Sequence, residues 1–264
     1  MRFLAVLLLF LAPSADAQRA RTYLKQRLLK QPLYLRGMWS ADDLHFDKTG
    51  HPLTGSETTS FTLSGIEVRK LDIQPDRLIL TARRIGLELD ESGAKRVVLT
   101  RGQGRAAKEV VVRIEIDAEP GGDYSDALDA IFTAKLEDLA PNLPPCWQIY
   151  AARAILHDPS PRAFTYGDPP REVTRDVTEP IIIRSANAEF TEYARSLAYK
   201  GTVQVQFTVG KDGRPSSYII VKPLGLGLDE AAIESIRQYV FGPATLHGKT
   251  IAVTLTIEVT FDIR

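Results

Sequence analysis

The sequence GTVQVQFTVGKDGRPSSYII, residues 201–220, decides the fold of the C-terminal part of this chain. Apolar and polar residues alternate strictly from Gly201 to Val209, which is typical of a strand that is buried on one face. Residues 210–213, Gly-Lys-Asp-Gly, predict a tight turn, because glycine accepts the positive φ that a short hairpin requires. With a return strand predicted at residues 217–221, this stretch indicates a β-hairpin.

Helical patterns flank this hairpin on both sides. Residues 190–195 predict a short helix before it. After it, apolar residues recur every fourth position from Leu228 to Val240, which is the period of an amphipathic helix. Asp229 and Glu230 fall in the predicted first turn, where carboxylates stabilise a helix N-terminus.

The last part of the chain predicts a second long strand with one apolar and one polar face. Burying each apolar side chain is worth roughly 1.5 to 3 kcal/mol, and a register shift of one residue would expose all of them. The residues that share the apolar face are Ile251, Val253, Leu255, Ile257, Val259, Phe261 and Ile263.

These segments resemble the C-terminal domain of TonB-type energy transducers over about residues 180–264. The family pattern places an aromatic residue before a short helix, Gly-Thr-Val at a strand start, Asp-Gly at a hairpin and Leu-Asp-Glu-x-Ala at a second helix. An aromatic-x-Phe-x-Pro end and a glycine before the last strand complete it. The matching residues are Phe190, Ala194, Arg195, Gly201, Thr202, Val203, Asp212, Gly213, Leu228, Asp229, Glu230, Ala232, Phe241, Pro243 and Gly248.

The resemblance implies an α-β-β-α-β domain whose last strand lies at a sheet edge and binds a peptide segment of an outer-membrane TonB-dependent receptor or other envelope protein. The alternative is that this edge pairs with a second copy of the chain in a homodimer. This chain departs from the family at Thr191, where proline is frequent, and at Tyr239, where tryptophan is usual. The residues predicted to contact the partner are Ile251, Ala252, Val253, Thr254, Leu255, Thr256, Ile257 and Glu258.

The N-terminus predicts export. An apolar run at residues 3–12 follows Arg2, and Ala15-Asp16-Ala17 fits a signal-peptidase site, so we expect cleavage before Gln18 and a periplasmic protein. The alternative is an uncleaved segment that anchors the chain in the inner membrane. The basic stretch at residues 19–30 suits either a solvated helix or contact with an anionic membrane surface.

The region between the signal and residue 157 predicts a β-rich domain. Short strands separated by turn residues are typical of an antiparallel sandwich or a small barrel, and a helix is predicted at residues 124–139. The expected fold class is therefore α+β, with this domain preceding the TonB-like domain. The predicted strands are Leu33 to Trp39, Leu44 to Phe46, Thr58 to Leu63, Ile66 to Ile73, Arg77 to Leu89, Arg96 to Thr100 and Val110 to Ile116.

A proline-rich segment separates the two predicted domains. Five prolines between residues 158 and 180 indicate a stiff linker. The predicted organisation is a signal peptide at residues 1–17, a β-rich domain at 18–157, this linker, and a TonB-like domain at 181–264, and the two domains are expected to fold separately.

Composition and motifs point away from several function classes. The 264 residues include 33 basic and 33 acidic ones, and this balance argues against nucleic acid as a partner. The four histidines are scattered, so no metal or other cofactor is expected, and no catalytic motif predicts an enzyme. Cys146, the single cysteine, is interpreted as a small buried hydrophobe.

Two functions stay open from the sequence. The first is a periplasmic interaction module that captures a receptor peptide by strand addition, in transport or energy transduction across the envelope. The second is a small-ligand-binding protein that uses the N-terminal β domain, with the TonB-like domain for docking or dimerisation. A deep apolar cavity within residues 31–140 would favour the second function, and a filled interior would favour the first.

Overall fold

The computed structural model describes residues 15–90, 93–119, 123–158 and 176–262. Residues 1–14 of the predicted signal peptide and residues 159–175 of the predicted linker lie outside this part of the chain. Of the linker, Val177 and Thr178 form a short strand. None of the helices in the described ranges combines the length and apolar composition needed to cross a membrane.

The N-terminal region is built on one mixed sheet of eight strands in the order β10-β1-β4-β5-β9-β2-β3, with β6 also paired to β5. Two further strands, β7 and β8, form a small hairpin. The bounds are α1 Ala15–Leu28, β1 Leu33–Leu35, β2 Asp43–Phe46, β3 Pro52–Thr54, β4 Gly65–Ile73, β5 Arg77–Asp90, β6 Gly93–Val98, β7 Thr100–Arg101, β8 Lys108–Glu109, β9 Val111–Asp117, α2 Ser125–Ile131 and β10 Phe132–Thr133.

The long strand β5 organises this sheet. Its first half, Arg77 to Arg83, pairs with β9, and its second half, Ile85 to Asp90, pairs with β6, while β4 lies along its other edge. Buried residues alternate along the first half of β5, as expected for a strand with one face in the core. Leu24 and Leu28 of α1 pack into the same core.

Several predictions for this region need correction. The described strands form an open sheet and not a closed barrel, and the sandwich arrangement is not confirmed. Residues 61–63 form a 3₁₀ turn instead of the end of a strand, because the hydroxyl of Ser60 accepts a hydrogen bond from the Thr62 amide and closes the turn. The predicted helix at 124–139 ends at Ile131, where the chain turns extended to pair with β1.

The C-terminal region contains a three-stranded antiparallel sheet in the order β14-β13-β18. Smaller ladders join β12 to β15 and place β16 between β11 and β17. Helix α3, Gln148–Tyr150, is the last helix of the N-terminal region. The bounds of the C-terminal elements are β11 Val177–Thr178, β12 Ile181–Arg184, α4 Glu192–Ser196, β13 Gly201–Val209, β14 Pro215–Lys222, α5 Leu228–Arg237, β15 Val240–Gly242, β16 Ala244–Leu246, β17 Lys249–Ile251 and β18 Val253–Phe261.

This succession gives the expected α-β-β-α-β order, with two shifted boundaries. Helix α5 stops at Arg237, and Val240 belongs to β15 because its backbone pairs with Arg184. The predicted last strand is divided in two. Ile251 ends β17 and pairs with Ala244 of β16, whereas β18 begins at Val253. Ala252 lies between the two strands, where the chain changes partner, and Ile263 lies outside the described residues.

The two regions share a continuous hydrophobic core. One buried cluster contains Phe61, Leu87 and Trp147 from the N-terminal region together with Phe207 and Leu226 from the C-terminal region. The segment Pro145–Tyr150 packs against β14. The domains predicted to be separated by a linker are therefore in close contact, while the boundary between them stays a prediction.

Candidate functional site

Strand β18 lies at one edge of the three-stranded sheet. It pairs with β13 over nine residues in continuous antiparallel register, from Val253 opposite Val209 to Phe261 opposite Gly201. Within the described ranges, β13 is the only strand that pairs with it. The backbone groups on the outer side of β18 therefore have the geometry that accepts another strand.

The apolar face of β18 is closed at its ends and partly open in the middle. Val253 and Phe261 are fully buried, and the Phe261 ring meets the Phe190 ring edge-to-face at 5.4 Å. Between them, Leu255, Ile257 and Val259 are only half-buried. A strand placed beyond β18 would cover the remaining apolar surface of these three side chains.

The opposite face of β18 is polar. Gln204 on β13 donates a hydrogen bond from Nε2 to Glu258 Oε1 at 2.8 Å, and the hydroxyls of Thr202 and Thr260 lie 3.3 Å apart. Thr256 is exposed on the same face. A two-faced edge of this kind favours a partner strand with alternating apolar and polar side chains.

Residues at the turns of this region, among them the motif residues Asp212 and Gly213, stabilise the fold and lie outside β18. Thr191 caps α4 by accepting a hydrogen bond from the Ala194 amide at 3.3 Å, and donates one to the Leu226 carbonyl at 2.8 Å. Asp212 Oδ1 accepts from the Arg214 amide in the hairpin turn. Gly213 has a φ of +73°, and a Cβ there would lie 2.0 Å from a backbone oxygen, so only glycine fits.

The other motif residues lie in the core, in turns or at the start of β13. Ala194, Ala232, Val203, Leu228 and Phe241 are buried. Gly201 and Thr202 open β13, Arg195 lies in α4, Pro243 follows β15, and Gly248 takes a φ of +77° in the turn before β17.

Asp229 is fully buried at the start of α5. Its two carboxylate oxygens accept hydrogen bonds from the amides of Leu224 and Gly225, at 2.8 and 2.7 Å. Burial raises the pKa of Asp229 to about 8, with Glu230 adding to the shift and the two amides opposing it. The carboxyl thus holds the loop before α5 in a closed turn.

Glu230, the next residue, reaches the N-terminal region. Its Oε1 accepts a hydrogen bond from Trp147 Nε1 at 2.8 Å. Burial raises the pKa of Glu230, and hydrogen bonds from Trp147 and Ser60 oppose that shift. Trp147 itself is completely buried and packs edge-to-face on Phe61 at 4.7 Å.

Backbone pairing also joins the two regions. The Leu226 amide donates to the Leu87 carbonyl at 3.0 Å, and the Leu89 amide donates to the Leu224 carbonyl at 2.9 Å. The Gly227 amide donates to the Thr62 hydroxyl at 3.0 Å. Sequence reasoning missed these contacts, because no local pattern marks residues that pair across more than a hundred positions.

One group of possible metal ligands exists among the described residues. Ligand atoms of His45, Glu115 and Asp117 lie within 4.8 Å of one another, and His45 Nε2 is 2.9 Å from Asp117 Oδ1. Glu115 already forms ion pairs with Arg77 and Arg113, which lower its pKa. A cation would have to displace two guanidinium groups, so we interpret this group as an ion-pair network.

Two further sequence predictions concern Cys146 and the interior of the N-terminal sheet. Burial raises the pKa of the Cys146 thiol to about 12, which leaves it protonated and unreactive at neutral pH. In the N-terminal sheet, Leu44, Phe46, Ile66 and Leu80 are all fully buried in one cluster. The described core of this region is thus built from packed apolar side chains, which is the arrangement expected for the interaction module.

Comparisons with known proteins concern the C-terminal region. The family model described as the Gram-negative bacterial TonB protein C-terminal matches residues 186–263. The solution NMR structure of the Pseudomonas aeruginosa TonB CTD is 21% identical over 34% of this chain and 90% of that chain, with a TM-score of 0.28. The search of curated proteins gives no match.

Proposed function

Residues 186–263 form a TonB family C-terminal domain, and from this premise we propose that the chain is a TonB-like interaction module of the bacterial envelope. It binds an extended peptide segment of an outer-membrane receptor by strand addition at β18. The family match confirms the resemblance seen in the sequence, and the peptide-binding role of residues 251–258 is part of the proposal.

The observation that carries this proposal is the open outer side of β18. Its backbone has no strand partner there among the described residues, and its central apolar side chains, Leu255, Ile257 and Val259, are only partly buried. An added strand would satisfy the backbone groups and cover these side chains together.

The expected affinity is modest. About five ladder hydrogen bonds at ~1 kcal/mol each are set against the cost of association, which gives a dissociation constant in the micromolar range or weaker. Such an affinity suits reversible capture of a partner. A second copy of the chain pairing through the same edge is the competing occupant.

The test uses receptor-derived peptides that are N-methylated at one or the other set of alternate amides. Each set blocks one edge of the peptide, and strand addition needs one edge only. We expect the full chain to bind one set with the affinity of the unmodified peptide and to lose the other. Equal binding of both sets would exclude strand addition, and a peptide-independent dimer that blocks binding would favour the homodimer.

The proposal places the chain in the periplasm, supported by the apolar run at residues 3–12 and the Ala15-Asp16-Ala17 site. The intact mass of the exported protein tests this placement. A mass that begins at Gln18 supports cleavage, whereas the uncleaved mass in a salt-resistant membrane fraction would support the anchored alternative.

A further inference from the structure

Glu258 is the single charged residue of β18. Glu258 is paired across the sheet with Gln204 on β13, and Gln204 is paired in turn with Lys222 on β14. Glu258 is exposed and, among the residues that the structure describes, makes no ion pair. This row of side chains therefore ends at an unneutralised carboxylate beside the open edge.

A strand added to β18 must place one side chain directly opposite Glu258. The Cβ atoms of such a pair are about 4.5–5.5 Å apart, close enough for opposite charges to attract and like charges to repel. Lys222 is two strand spacings away, or about 9.6 Å, with Gln204 between. At that distance Lys222 is a weaker influence on Glu258 than a residue of the added strand.

We propose that Glu258 selects partner strands that carry lysine or arginine at the opposite position and rejects those with aspartate or glutamate there. The neighbouring positions on this face meet Thr256 and Thr260 and take uncharged residues. Positions on the other face meet Leu255 and Ile257 and take apolar residues. This inference rests on the proposed function, since it assumes strand addition at β18.

The probe is a nine-residue peptide that alternates valine and threonine around one central variable residue on the threonine face. Each peptide is made in two forms, with one or the other set of alternate amides N-methylated, so that neither form can stack into a sheet of its own. Versions with lysine, glutamine or glutamate at the centre are titrated into the full chain at low salt. We expect the lysine peptide to bind about three- to tenfold more tightly than the glutamate peptide, and the difference to shrink at high salt.

Two variants of the same residue identify the source of the preference. Glu258→Lys is expected to reverse the order of the peptides, and Glu258→Gln to bring their affinities within about twofold of one another. Glu57→Lys is the matched control, because Glu57 is exposed in the N-terminal region and the substitution makes the same change in net charge. It is expected to keep the wild-type order.

The outcomes separate this inference from the proposed function. Equal affinities of the three peptides for the wild-type chain would overturn the selection by Glu258 and leave strand addition intact. An unchanged order in Glu258→Lys would overturn it as well. If neither N-methylated set of any peptide binds, strand addition at β18 fails and the selection fails with it.

Discussion

A rung of the C-terminal sheet, meaning a row of residues paired across its three strands, has different surroundings at its two ends. Val205 on the central strand pairs with Ile220 on β14 and with Ile257 on β18. Ile220 is 1% exposed, and Val205 is 0% exposed. Ile257, on the same face of the same sheet, is only half-buried.

The difference arises from what packs against β14, namely helix α5 and a segment of the N-terminal region. The segment Pro145–Tyr150 packs against β14, and Trp147 joins the cluster that buries Ile220. No described segment pairs with β18 on its outer side. The chain thus covers one side of its TonB-type sheet by itself, whereas the other side has no strand partner among the described residues.

Removal of the N-terminal region should have the largest effect. A chain that begins near Thr178 keeps the α-β-β-α-β order but loses the contacts of Leu224, Leu226 and Glu230 with that region. We expect a cooperative thermal transition at least about 10 °C below that of the full chain, since ~1 kcal/mol shifts the midpoint of a domain of this size by about 4–8 °C. Calorimetry measures both.

Two results would contradict this expectation. An unfolded fragment would mean that the two regions fold only together, and the predicted domain boundary would be wrong. An unchanged midpoint would mean that the covered side of the sheet contributes nothing to stability.

Trp147→Ala should destabilise the full chain by about 3–5 kcal/mol, because it empties a fully buried site and leaves Glu230 without its indole donor. Urea denaturation measures the change. Val221→Ala, on the exposed side of β14, is the control and should change the free energy of unfolding by less than about 0.5 kcal/mol. Similar losses of unfolding free energy in both variants would mean that Trp147 does not stabilise the β14 side of the sheet.

Local patterns predicted much of the C-terminal fold. The alternation from Gly201 to Val209 gave the exact bounds of β13, and Asp229 marked the first turn of α5. These features depend on neighbouring residues, so a sequence reveals them. The placement of β18 at the sheet edge came from the family resemblance and agrees with the structure.

The features that could not be predicted from the sequence depend on contacts between residues far apart in the chain. The alternation continued through Ile251, but the chain changes strand partner at Ala252. Leu87 and Leu89 were predicted as parts of a sheet strand, and nothing near them indicated pairing with residues 224–226. The packing against β14 could therefore not be predicted from the sequence, whereas the alternation of residues did predict the polar and the apolar face of β18.

Stability should fall as pH rises from about 5 to 8. The pKa of Asp229 is about 8 in the folded chain and near 3.8 when unfolded, so between these values the folded state holds a proton that the unfolded state has released. The stabilisation is present below pH 4 and is lost as pH approaches 8, with a slope of at most about 1.4 kcal/mol per pH unit. Urea denaturation at pH 5 to 9 measures it.

Asp229→Asn is the control for this pH dependence, because an amide does not titrate. The variant should be less stable overall, since it removes one acceptor from a pair of backbone amides, yet its stability should vary less over the same range. A wild-type stability that does not change from pH 5 to 8 would show that the two amides keep Asp229 ionised in the folded chain.

Ile257→Ala should have the smallest effect on stability, and its comparison with Ile220→Ala tests the two ends of the rung directly. Ile220→Ala should cost about 2–5 kcal/mol, as a fully buried isoleucine does, whereas Ile257→Ala should cost about 1 kcal/mol because part of its surface already faces solvent. Peptide affinity should respond in the opposite order. Ile257→Ala removes a side chain that an added strand covers and should weaken binding several-fold, while Ile220→Ala should leave the affinity of the folded protein unchanged. Equal stability losses would mean that β18 is covered in solution, and equal affinities would place the peptide elsewhere.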